Sequence, residues 1–292
     1  MRHDGTIKSF KVETLRAALI QPFRTALGDH NSLENVLFTL ELSDGTRGFG
    51  EAAIATHITG ETLPATLKNL NTAGEKIIGR DISEYPSISA GLYQKLYKNG
   101  SALAAAEMAM LDVLAKKLKV PLWRLFGKTS ELLKTDITIV IADLEETELS
   151  AKKFYAQGFG AFKVKIGRDM DLDFKRVQAV NRITKGSPIY LDANQGYSAE
   201  ETLKFLKSLK RAGIRISLLE QPVPKEDWEG LKKVTRVSGV PVCADESCKS
   251  IGDALRIIKE KAAGVINIKF MKTGIVYGRE IANLANRMVL IS

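Results

Sequence analysis

Only two of the 292 residues are cysteine, which excludes a disulfide-built scaffold. Cys243 and Cys248 stand in a C-x4-C spacing with no second pair and no neighbouring histidine, which argues against a zinc site. Aromatic residues make up only 7%, and no RNA- or DNA-binding signature accompanies the formal charge of +9. The basic residues are spread over stretches such as KEDWEGLKKVTR rather than gathered in one tract. The charge therefore reads as solubility and attraction for small anions, with no nucleic-acid partner expected. No signal peptide and no long apolar span is present, so a cytoplasmic protein without membrane contact is expected. A G-x-G-x-x-G fingerprint is missing too, which removes the main support for a dinucleotide fold.

What is present is a chain 45% hydrophobic, long enough for one large α/β barrel or two smaller domains. Residues 7–20 and 34–55 read as strands: VLFTLEL alternates, SDG supplies a hairpin turn and GFGEAAI follows. Helical patterns run from Glu61 to Lys119, notably the alanine-rich SALAAAEMAMLDVLAKKL. Residues 1–125 thus form an expected α+β domain. From Thr135 the pattern changes to short apolar strands, TDITIVIA, FKVKI, IYLDA, SLLEQ, PVCAD, VINIKF and MVLIS, separated by amphipathic helices. Such alternation predicts parallel strands with right-handed crossovers, and seven successive units predict a (β/α) TIM-type barrel over residues 126–292.

Chemistry in such barrels sits at the C-terminal strand ends. Those ends carry Lys163 and Lys165, then Asp192, Glu220, Asp245 and Lys269, with steps from Lys165 of 27, 28, 25 and 24 residues. Each step is one strand–helix unit, a phase that surface charge does not explain. Within AFKVKI, Lys163 and Lys165 share one strand face while Phe162, Val164 and Ile166 share the other. The plain alternative leaves both lysines in water. The three acids suit a hard divalent cation such as Mg2+, with room for water and a substrate carboxylate. The competing reading makes them helix caps or lysine partners, and CADES in particular would suit a cap. A lysine acts as a general base only when neutral, and a neighbouring ammonium lowers its pKa. Lys163 beside Lys165 is such a neighbour. Lys269 would face Lys165 across a barrel of eight, and two bases flanking one carbon can remove a proton on one face and return it on the other. A metal would stabilise the enediolate between those steps.

These motifs together resemble the enolase superfamily, specifically its muconate-lactonising subgroup. FKVKIG is similar to that subgroup's K-x-K strand, LDANQGYS, LLEQPV and CADES to its three metal-ligand strands, and INIKFMKTG to its opposite-lysine strand. The N-terminal block resembles its capping domain, and within it QPFRTALG and THITGET resemble dipeptide epimerases of the L-Ala-D/L-Glu type. The resemblance implies two-base 1,1-proton transfer at the α-carbon of a dipeptide's C-terminal residue. Lys165 and Lys269 would be the acid/base pair, Asp192, Glu220 and Asp245 the Mg2+ ligands, and Arg24, Thr138 and Lys163 substrate contacts. The other activities of this scaffold, o-succinylbenzoate synthase, N-acylamino acid racemase and muconate cycloisomerase, keep the same lysines and acids. From a different class, a truncated non-catalytic remnant competes. It has a motivation: MVLIS matches only a seventh strand, so the barrel is expected to be incomplete at its C-terminus, without the family's Asp-x-Asp for the substrate ammonium. Homo-oligomerisation is compatible with every one of these readings.

Overall fold

The structure, a computed structural model, describes residues 5–127 and 134–287. The expected seventh strand, at 288–292, lies outside the described residues. The chain forms two compact units built from non-contiguous segments. The first comprises Met1–Ile20, Ser32–Leu132 and Ile268–Ile281; the second comprises Gln21–Asn31, Leu133–Asn267 and Ala282–Ser292.

A three-stranded sheet is ordered β1 (Ile7–Thr25), β2 (Gly28–Leu42) and β3 (Arg47–Ala52), and apart from the stretch Gln21–Asn31 it belongs to the first unit. SDG makes the β2–β3 turn as expected, with Gly45 at φ 84° and Leu42 N donating to Thr46 O. Along β2, Val36, Phe38, Leu40 and Leu42 alternate onto the buried face and are fully buried. Helices α1 (Leu63–Ile77), α2 (Tyr85–Leu96) and α3 (Gly100–Lys117) follow. The alanine-rich α3 is buried along most of its length, and its composition has a steric reason. A Cβ on Gly50 would lie 1.9 Å from Ala105 O, and one on Gly48 2.3 Å from Ala109 O. Strand and helix backbones thus meet with no room for side chains at these points. Gly50→Ala is expected to cost about 1–3 kcal/mol of stability through overpacking, measurable by urea unfolding.

The second unit is a six-stranded parallel sheet in chain order: β4 (Ile137–Ile139), β5 (Phe162–Lys165), β6 (Ile189–Asp192), β7 (Leu218–Glu220), β8 (Val242–Ala244) and β9 (Val265–Ile266). One helix lies between each neighbouring pair: α4 (Leu144–Ala156), α5 (Met170–Ile183), α6 (Ala199–Arg211), α7 (Trp228–Val237) and α8 (Ile251–Glu260). This is the strand–helix winding expected of a (β/α) barrel. Side chains of Asp143, Asp169, Ser198, Asp227 and Ser250 cap the five helices, Ser198 within a full capping box with Glu201. Ser250, not Asp245, therefore starts α8.

Candidate active site

The parallel register sets three charged residues level with one another. Lys165 on β5 is the Cα partner of Asp192 on β6, and Asp192 that of Glu220 on β7. Glu220 is level with Cys243 on β8, two residues before Asp245, and Thr138 on β4 is level with Lys163. Alternation does the rest: Phe162, Val164 and Ile166 are fully buried on the opposite face. The lysines do not extend into water. Lys165 is 6% exposed, Asp192 and Asp245 are fully buried, and Glu220 is 5% exposed.

Lys163 Nζ lies 2.8 Å from Asp192 Oδ2 and 2.7 Å from Glu220 Oε2, bridging the two acids. Burial opposes its charge, but the two carboxylates outweigh burial and hold its pKa above the ordinary lysine range. Lys165 Nζ donates to Asp192 Oδ2 at 2.6 Å and to Asn194 Oδ1 at 2.6 Å. Burial works against the Asp192 charge as well, yet Lys165 and Lys163 keep its carboxyl below the usual range. Glu220 shows the opposite balance. Burial, with the charges of Asp192 and Asp245, pushes it up to about 7 despite Lys163. Its other oxygen, Oε1, accepts from Asn267 Nδ2 at 2.8 Å.

Among the described residues no three carboxylate, imidazole or thiol side chains already converge as a metal cluster. The donor set nonetheless suits a hard cation: carboxylate oxygens at the ends of three adjacent strands, a Glu220 charge opposed by burial and by the neighbouring Asp192 and Asp245, and an ammonium standing between two of the acids.

Arg24 is half-buried, and its backbone oxygen accepts from Ile141 N just beyond β4. Its Nη1 donates to both carboxylate oxygens of Glu146 on α4, at 3.1 and 2.9 Å. The adjacent Phe23 ring centroid lies 5.9 Å from Lys165 Nζ. Lys269 groups with the first unit, half-buried in extended backbone (φ −119°, ψ 119°), two residues beyond Asn267.

Several polar residues around the acids escaped the sequence reading. Gln221 is fully buried; its Oε1 accepts from the backbone of Asp245 and Ser247, and its Nε2 donates to Val223 O and Ser247 Oγ. It pins the segment carrying Asp245. Asn194, Gln195 and Gln221 all adopt positive φ, at 41°, 72° and 35°, so backbone strain gathers at the ends of β6 and β7. The available signal was position: each lies within three residues of a predicted ligand.

Comparison with known proteins identifies the family. The mandelate racemase / muconate lactonizing enzyme N-terminal domain matches residues 8–127, and the enolase C-terminal domain-like family matches residues 146–290. A hydrophobic dipeptide epimerase from Citrifermentans bemidjiense is 46% identical over 287 residues, which is 96% of this chain and 78% of that one. An L-Ala-D/L-Glu epimerase from Bacillus subtilis is 34% identical over 282 residues, 95% and 77% of the two chains. The crystal structure of a dipeptide epimerase from Enterococcus faecalis, complexed with Mg and L-Leu-L-Tyr, superposes with a TM-score of 0.94 at 32% identity, covering 98% of this chain and 82% of that one. The chain belongs to the mandelate racemase and muconate lactonizing enzyme family of the enolase superfamily, whose TIM-type barrel follows an N-terminal capping domain.

Proposed function

We propose that this protein is a Mg2+-dependent dipeptide epimerase, an isomerase that inverts the α-carbon of the C-terminal residue by two-base 1,1-proton transfer. The observation that carries the reading is the level row of Lys165, Asp192 and Glu220 on three adjacent strands. The dipeptide epimerases among its relatives support the choice of reaction. Asp192, Glu220 and Asp245 would hold the metal. Once bound, Mg2+ would offset the negative charge that develops on the substrate carboxylate as the α-proton leaves. Lys165 takes or returns the proton on one face of that carbon, and Lys269 serves the other. Lys163 stays charged beside them, and Thr138 and Arg24 contact the substrate, Arg24 from residues 1–125, the proposed capping domain.

For the C-terminal side chain there are two readings. The L-Ala-D/L-Glu type would use Arg24 to receive the glutamate carboxylate. A specific observation favours an apolar side chain instead: Glu146 already neutralises Arg24, and the Phe23 ring lies next to Lys165. The test is a panel of L,L-dipeptides with acidic and apolar C-terminal residues, followed by chiral chromatography. The L,D epimer should form with Mg2+, stop on chelation and resume on readdition, with apolar substrates giving the higher kcat/KM. Absence of an epimer from every dipeptide would refute the function; a preference for glutamate would refute only the apolar reading.

A further inference from the structure

Glu246 follows Asp245 in CADES and is 1% exposed, yet it has no place in the chemistry above. Its Oε2 has no hydrogen-bond partner, an expensive condition for a carboxylate beside two other buried acids. Its Oε1 accepts from Asn194 Nδ2 at 3.2 Å. Asn194, 3% exposed, directs its Oδ1 to Lys165 Nζ at 2.6 Å, while its backbone N–H donates to Asp192 Oδ1 at 3.1 Å. These contacts form one line: Glu246 holds the Asn194 amide, and Asn194 holds the Lys165 nitrogen.

Donor and acceptor chemistry gives the line a direction. A lysine nitrogen offers its N–H groups to the Oδ1 edge of Asn194, and Glu246 Oε1 accepts from the Nδ2 edge, so each edge of the amide has its own partner. With Asp192 Oδ2 and Asn194 Oδ1 accepting two N–H bonds, rotation about the Lys165 Cε–Nζ bond is fixed. The third tetrahedral direction of the nitrogen is then the one that exchanges a proton. Asparagine suits position 194 on a second count, because it tolerates the φ of 41° better than other polar residues that could reach the lysine.

We infer that Glu246 is a positioning residue for Lys165, acting through Asn194 to aim the lysine nitrogen at the α-carbon. The inference rests on the epimerase reading and deepens it, because a device that aims only one of two bases has a one-sided consequence. Disturbing it should slow exchange of the epimer whose proton meets Lys165 and spare the epimer served by the other base. A general structural defect, or loss of metal, would slow both alike.

The experiment measures α-proton exchange in D2O by NMR, starting separately from the L,L and L,D forms of a turned-over dipeptide. The Mg2+-loaded wild type, Lys165→Ala, Glu246→Leu and Glu246→Gln are compared. Lys165→Ala identifies the epimer that depends on this lysine. Glu246→Leu should slow that epimer by roughly tenfold to a hundredfold more than the other, the range spanned by one charge-assisted hydrogen bond. Glu246→Gln keeps an acceptor oxygen for Asn194 and should recover most of that selective loss. Equal slowing of both epimers by Glu246→Leu, or no slowing of either, would overturn the positioning role while leaving the epimerase reading intact. If the wild type exchanges neither epimer of any dipeptide, the epimerase reading itself fails, and this inference with it.

Discussion

Lys165→Ala should lower kcat for epimerisation by roughly 10³-fold, within the 10²–10⁴ range of a positioned acid/base group, with KM changing far less. The side chain is buried, fixed at two hydrogen bonds and level with Asp192, whereas Lys163, the other lysine of β5, is engaged as a bridge between Asp192 and Glu220. Folding should survive the change, because Asp192 keeps Lys163 as a cationic partner. Lys165→Arg should not rescue turnover, since a guanidinium stays protonated at any working pH. Steady-state kinetics on both variants checks this; a kcat within about tenfold of wild type for Lys165→Ala would remove the residue from its role.

Arg176→Leu should cost about 3–5 kcal/mol of stability, the penalty for leaving a buried charge without its partner. Arg176 is fully buried on α5. Its Nη1 donates to Asp173 Oδ1 and to Lys165 O, its Nη2 to Val140 O, and its Nε to Thr147 Oγ1. Asp173, 1% exposed, uses its other oxygen to accept from Gly167 N and Tyr197 OH. Burial and the Asp173 charge together raise the Tyr197 pKa, so the phenol stays a donor. One guanidinium thus joins the ends of β4 and β5 to α4 and α5, directly behind the strand end that carries Lys165. Leucine would strand the Asp173 charge and three acceptor oxygens in a dry interior. Urea unfolding of the two proteins measures the difference, and a loss below about 1 kcal/mol would show that the network contributes little.

The strand–helix period and the charges riding on it were legible because both follow from local rules. Alternation places Lys163 and Lys165 on one face, and parallel pairing converts a repeat of one unit into a row of side chains at one level. Register supplied what spacing could not, splitting the two lysines between a bridge over Asp192 and Glu220 and a contact with Asp192 and Asn194. Gln221, Asn194, Glu246 and Arg176 were not legible in those roles. Each acts through at least one partner 24 or more residues away, as in the Gln221–Asp245, Asn194–Glu246 and Arg176–Thr147 contacts, and a single polar letter does not disclose its burial. Strand β1 also runs on to Thr25, past the reading of 7–20, because pairing with β2 extends polar sequence that propensity alone would leave as loop. The Arg24–Glu146 pair was hidden for the same reason, its members lying 122 residues apart.

The most direct measurement is proton NMR of L-Ala-L-Glu and L-Ala-L-Leu in D2O with the Mg2+-loaded protein. The α-proton signal of the C-terminal residue should disappear for at least one of them as the L,D epimer grows, while the alanine α-proton persists. Retention of the C-terminal α-proton in both dipeptides, or exchange at alanine instead, would contradict a base at Lys165 acting beside the acids of β6 and β7.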